Sequence, residues 1–209
     1  MNMDDQDDSQ PSQDSVLTAI DDNRTEIIYF AYGSNLSSHQ MLQRCPNSMP
    51  IGLGHLPGYK WIINERGYAN IVSADVPPPS LAGPADPVVS SQGGVYGLLY
   101  LLPPQDEDEL DFYEGVPWAY GKVHVAVQRV TDEEGRRMEP PQDLTALAYI
   151  DAQRVVGDVP NQEYIGRMER GIKQAVEEWG MDKTYAEGMR GWLGTMSVVE
   201  GKKLRVANE

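Results

Sequence analysis

Glu26-Ile27-Ile28-Tyr29-Phe30-Ala31-Tyr32-Gly33-Ser34-Asn35-Leu36 is the stretch from which the rest of the chain can be read. Ile27, Ile28, Tyr29 and Phe30 are consecutive β-formers, so Glu26–Ala31 is expected as a first strand. Tyr32-Gly33-Ser34-Asn35 then turns the chain. Ser37 with Gln40 three residues on has the pattern of a capping box, and Pro46 ends the short helix it opens. A strand, a tight glycine turn and a capped helix aim several backbone N–H groups at one point, which suits a carboxylate or a phosphate. The loop lacks the Lys and the spacing of a nucleotide-binding P-loop, so a small organic carboxylate is the better match. An ordinary turn, in which Ser34 and Asn35 bond only their own backbone, is the competing reading.

Downstream, Tyr59–Asn64 and Tyr68–Ser73 read as strands on either side of Arg66-Gly67. Residues 75–93, with Pro77-Pro78-Pro79, Gly83-Pro84 and Pro87, read as an irregular loop. Gly94–Leu102 is apolar on both parities, as a strand buried on two faces would be. Pro103-Pro104 opens a short acidic helix through Tyr113, its acids suited to the N-terminal dipole end. Lys122–Val130 alternates, with Val123, Val125 and Val127 on one face. Leu144–Ile150 is the last clear strand. Asn161 is placed to cap a long helix in which Tyr164, Ile165, Met168, Ile172, Val176 and Trp179 recur at three- and four-residue steps, closed by Gly180. That stripe reads as core, with Tyr164 the one phenol placed to face a ligand. Residues 181–209 carry no strong pattern. Strands outnumber helices and most connections are too short for crossover helices, which predicts a mixed α+β domain on a curled sheet. The chain divides into an acidic tail (1–25), one domain (26–180) and a C-terminal extension (181–209).

A chain of 209 residues, 40% of them hydrophobic, is long enough for a substantial core. No run approaches the roughly 18 apolar residues of a membrane span. The opening MNMDDQDDSQ has neither a signal-peptide nor a transit-peptide pattern, and Cys45, the single cysteine, allows no internal disulfide; a cytoplasmic protein is expected. The net charge is −15, of which −7 falls on residues 1–26 and −8 on the rest. An acidic body without a basic stripe argues against nucleic acid. The tail, poor in aromatics and rich in Asp, Gln and Ser, is expected to be disordered.

The second informative segment is Leu110-Asp111-Phe112-Tyr113-Glu114-Gly115-Val116. Gly115 is a natural left-handed terminator, which puts Glu114 at the helix C-terminus. The negative helix end, the acids at positions 106, 107, 108, 109 and 111, and burial among Phe112, Tyr113, Val116 and Trp118 should each raise its pKa. A raised carboxylate pKa suits a general base working near neutrality; a solvated acidic helix is the plainer alternative. His39, His55 and His124 form no metal-ligand spacing, with His124 an outward strand residue. No Gly-x-Ser-x-Gly elbow is present, and Ser34 has no histidine base beside it in the pattern. Cys45 reads as a small buried side chain.

At these two segments the chain resembles the γ-glutamylcyclotransferase family. Tyr29 to Leu36 is similar to that family's N-terminal signature, and Leu110-Asp111 with Glu114-Gly115-Val116 to the segment holding its catalytic glutamate. Gly67-Tyr68-Ala69-Asn70-Ile71, Val95–Tyr100, Ala148-Tyr149-Ile150 and Pro160–Tyr164 follow in the family's order, so the likeness spans about residues 26–180. The resemblance implies a small β-barrel flanked by helices, and release of a γ-glutamyl group as 5-oxoproline. It implies Glu114 as the base, with Tyr29, Phe30, Ala31, Tyr32, Gly33, Ser34, Asn35 and Leu36 lining the substrate loop and Tyr120 and Tyr164 contacting substrate. It implies no metal or organic cofactor, a small-molecule γ-glutamyl substrate as partner, and leaves a homodimer open. A same-fold binding protein without turnover, or another proton transfer on a biosynthetic metabolite, are the alternatives; an intact Glu114 favours the enzyme.

Overall fold

The computed structural model describes residues 25–75 and 93–206, with side chains up to residue 194. The expected tail and most of the 75–93 loop lie outside the described residues.

Five strands close a small barrel in the order β1 (Ile27–Ala31), β5 (Gly94–Leu102), β2 (Met49–Pro57), β6 (Gly121–Thr131) and β7 (Arg137–Ile150). All neighbours are antiparallel except β1 and β7, which close the ring in parallel with Tyr29 opposite Leu147. β5 lies between β1 and β2, with Leu98, Leu99, Tyr100 and Leu102 all buried, which accounts for its apolar sequence on both parities. A separate hairpin, β3 (Tyr59–Ile63) with β4 (Ala69–Ser73), stands beside the barrel.

β2 is absent from the sequence reading. Its Pro50, Gly52, Gly54 and Pro57 dilute the β-formers, yet each glycine has a reason to be there. Gly52 has φ +129° at a bulge, and a Cβ would lie 2.1 Å from the Thr131 carbonyl of β6. β7 begins at Arg137, seven residues before the expected strand, because its polar first half, with Pro140 and Pro141, pairs with β6 as an exposed ribbon. On β6, Val125 and Val127 are buried, whereas Val123 is exposed.

Helix α1 (Ser38–Arg44) follows a 3-10 turn at Ser34–Leu36. Ser37 caps it by accepting from the Gln40 N–H, but the Gln40 side chain turns to the loop instead of completing the box. Helix α2 (Pro104–Glu114) ends at Gly115 in the left-handed region. Buried Asp106 accepts from the Asn47 backbone and side chain, fastening α2 to the chain after α1. Helix α3 (Gln162–Glu177) lays Tyr164, Met168, Gly171, Ile172 and Ala175 inward. Asn161 starts it without a side-chain cap; its amide instead donates to the Arg66 carbonyl. The patternless residues after 181 hold α4 (Lys183–Val206), which buries Tyr185, Met189, Trp192 and Leu193. Among the described residues, no helix is long and apolar enough to cross a membrane.

Candidate functional site

The loop after β1, the C-terminus of α2, the β3–β4 turn and the start of α3 meet around a pocket of about 230 Å3. Three contacts bring them together. Ser34 N–H donates to the Tyr164 hydroxyl at 3.2 Å, tying the loop to α3. Trp61 Nε1 donates to the Tyr32 carbonyl at 3.0 Å, tying it to the hairpin. Asn35 Nδ2 donates to Glu114 Oε1 at 3.2 Å, tying it to α2. Close approach requires small residues: a Cβ on Gly33 would meet the Tyr164 oxygen at 3.0 Å, and one on Gly171 would meet the Leu36 Cβ at 3.0 Å.

Glu114 lines this pocket with its carboxyl half-buried. Burial pushes its pKa above the ordinary carboxylate value, opposed by Arg44, Arg167, the Asn35 hydrogen bond and Arg66. The sequence reading gave the acids of α2 a share in that rise. The structure turns three of those acids elsewhere: Asp106 to Asn47, Glu107 and Asp111 to Lys122, and Asp111 also to the Tyr149 hydroxyl. The strongest charges acting on Glu114 are guanidiniums.

Of the sequence-predicted residues, Tyr29, Tyr32, Gly33, Ser34, Asn35, Glu114, Tyr120 and Tyr164 converge on the pocket. Phe30, Ala31 and Leu36 do not: all three are fully buried, and Phe30 packs its ring where a Cβ on Gly97 would stand, at 2.7 Å. Strand alternation separates Phe30 from Tyr29, since the two face opposite ways. The cradle of backbone N–H groups expected for an anion is largely spent. That of Ser34 is bound to Tyr164, and those of Leu36 and Ser37 close the turn on Gly33 and Ser34.

Positive charge comes instead from three side chains that the sequence reading passed over. Arg44 Nη1 donates to Asn35 Oδ1 at 3.2 Å, stands 4.0 Å from Glu114 and lies 5.0 Å over the Tyr113 ring. Arg167 donates to Ser34 Oγ at 2.9 Å and lies over the Tyr164 ring. Arg66, in the hairpin turn, lies between the Tyr68 and Tyr120 rings. Arg167 follows Tyr164 by three residues on one helix face, the one hint a sequence offers.

The phenols are kept protonated. Burial pushes the pKa values of Tyr29, Tyr32, Tyr120, Tyr149 and Tyr164 upward. Tyr120 donates to the Ala69 carbonyl at 3.0 Å, and Tyr32 to that of Tyr149. The arrangement is a carboxylate able to exchange a proton, in a pocket whose other charged groups are cations. Among the described residues, no three His, Cys, Asp or Glu side chains gather as a metal-ion site.

Comparison with known proteins places residues 29–166 within the family described as gamma-glutamyl cyclotransferase, AIG2-like. No curated protein gives a significant sequence match. Among solved structures, one named gamma-glutamyl cyclotransferase shares 20% identity at a TM-score of 0.59, covering 80% of this chain and 88% of its own. A human protein, described as uncharacterized protein loc79017, shares 19% at 0.60, covering 81% and 89%. YkqA from Bacillus subtilis shares 21% at 0.58, covering 82% of this chain but 55% of its own length. At these identities the likeness is one of fold.

Proposed function

Since the chain belongs to the gamma-glutamyl cyclotransferase, AIG2-like family, we propose that it releases 5-oxoproline from a γ-glutamyl amino acid or γ-glutamyl amine, with Glu114 as general acid and base. The observation that carries this reading is the pairing of Glu114 with the Asn35 amide at 3.2 Å inside a pocket otherwise lined by guanidiniums and phenols.

Glu114 takes a proton from the substrate α-ammonium. The freed amine attacks its own γ-carbonyl carbon and the ring C–N bond forms. Collapse of the tetrahedral adduct breaks the bond to the leaving nitrogen, which receives the proton back from Glu114. Attack leaves a second proton on the ring nitrogen, now cationic, and this proton also passes to the leaving nitrogen, so the ammonium charge of the substrate ends on the product amine. Because attack is intramolecular, holding the head group folded supplies much of the rate. The arginines, and the hydroxyls of Tyr29 and Tyr164, which accept from Asn35 and Ser34, are donors for the α-carboxylate and the developing oxyanion. The chemistry as written calls for no metal or organic cofactor.

Mass spectrometry of the protein incubated with a panel of γ-glutamyl compounds tests this, with 5-oxoproline as the signal. Glu114→Gln keeps the shape and accepts no proton, so turnover should fall about 10²–10⁴-fold with binding retained. Equal rates for mutant and parent would remove Glu114 from the mechanism.

A further inference from the structure

Among the charged side chains lining the pocket, Arg66 differs from the others in what answers its charge. Arg44 stands 4.0 Å from Glu114, and Arg167 3.5 Å from Glu163. Arg66 donates to a neutral partner, the Ala119 carbonyl, at 3.2 Å, and its guanidinium lies 5.5 Å over the Tyr68 ring and 5.2 Å over the Tyr120 ring. Among the described residues no carboxylate forms an ion pair with it.

Its backbone is fastened from three sides. The Arg66 N–H donates to Asn64 Oδ1 at 3.1 Å, its carbonyl accepts from Asn161 Nδ2 at 2.8 Å, and the next carbonyl accepts from Asn161 N–H at 3.0 Å. A guanidinium held between two aromatic faces, with N–H groups to spare, is pre-organised for two parallel hydrogen bonds to a carboxylate.

The identity of that carboxylate rests on the cyclotransferase reading. A γ-glutamyl head is zwitterionic. Its α-ammonium goes to Glu114, and its α-carboxylate, attached to the same carbon, stays beside that base, where Arg44 stands. Of the three guanidiniums, Arg66 acts on Glu114 least. It is therefore left for another part of the substrate. We propose that Arg66 forms a subsite for a second carboxylate, carried by the leaving amine, so that the pocket selects γ-glutamyl compounds of carboxylate-bearing amines over those of neutral or basic amines.

The test compares γ-glutamyl-alanine with γ-glutamyl-alaninamide, which differ by that one charge. Binding is measured by calorimetry on the Glu114→Gln protein, which needs no turnover, and kcat/KM on the parent. The acid should bind roughly 10- to 100-fold tighter than the amide, as a charge-assisted pair would give. Adding Arg66→Gln should bring the two together, while Arg66→Lys, which keeps the charge without the fork, should keep part of the preference. If Arg66→Gln loses its cooperative melt, Arg66→Lys decides, and an undiminished preference there counts against the subsite. Equal binding and equal kcat/KM for acid and amide sink the subsite and leave the cyclotransferase standing. No binding of either compound, and no 5-oxoproline from the parent, sink both.

Discussion

Every polar atom of the Asn35 side chain is spoken for. Its Oδ1 accepts from Gln40 Nε2 at 2.9 Å and Arg44 Nη1 at 3.2 Å, and its Nδ2 donates to the Tyr29 hydroxyl and to Glu114. The two donors on one side fix the amide so that the other side must face Glu114. Arg44 therefore acts twice, by orienting Asn35 and by holding down the pKa of a carboxyl that burial raises. In Arg44→Gln that restraint is gone and Glu114 holds its proton to higher pH. The acid limb of kcat/KM for 5-oxoproline formation should then move to higher pH, with a plateau loss of up to about 10²-fold from misplacement. Arg44→Lys should restore the limb more fully than the plateau. A limb that stays in place in Arg44→Gln would show that Arg44 only packs. Beside it, burial pushes the Cys45 thiol up to about 12, so it stays a protonated donor to the Asp106 carbonyl and takes no part in the chemistry.

The β3–β4 turn shows how an element aims a side chain. Gly67 has φ +79°, and a Cβ there would stand 2.6 Å from the Asn161 side chain. Gly67→Ala should cost more than about 1 kcal/mol, since both backbone and neighbour must give. Urea unfolding reads this as a lower midpoint at unchanged slope, and an unaltered midpoint would show that the turn relaxes freely. Local signals of this kind are what a sequence carries well. Gly115 stopping α2, Ser37 capping α1, the doubly apolar β5 and the 3.6-residue stripe of α3 were all legible, and they put Glu114 and the Tyr32–Asn35 turn in place. Partners distant in the chain were not. β2 is held by β5 and β6, not by its own propensity, and its glycines mark close approach. Arg44, Arg66 and Arg167 each look like surface arginines until three separate elements bring them to one pocket.

For the molecule as a whole, the site works against stability. The folded protein binds the Glu114 proton at a higher pH than the unfolded chain does, so at neutral pH the ionised group costs stability. That cost is full above the raised folded value and vanishes as pH falls through the unfolded one. Glu114→Gln should accordingly melt above the parent at neutral pH, and the gap should close in acid. A gap that is constant with pH would mean the carboxyl titrates alike in both states. The same imbalance sets the electrostatics. A chain of net charge −15 gathers three arginines around one carboxylate, so its field attracts anions at the pocket while the acidic remainder repels them.

The hydrogen bond from Ser34 to Tyr164 spans 130 residues. During synthesis the signature loop leaves the ribosome well before the helix that shuts it. No nascent chain stopping short of that helix contains a binding site, however well its barrel strands have begun to pair. The pocket is thus completed only when α3 docks on a loop made long before it.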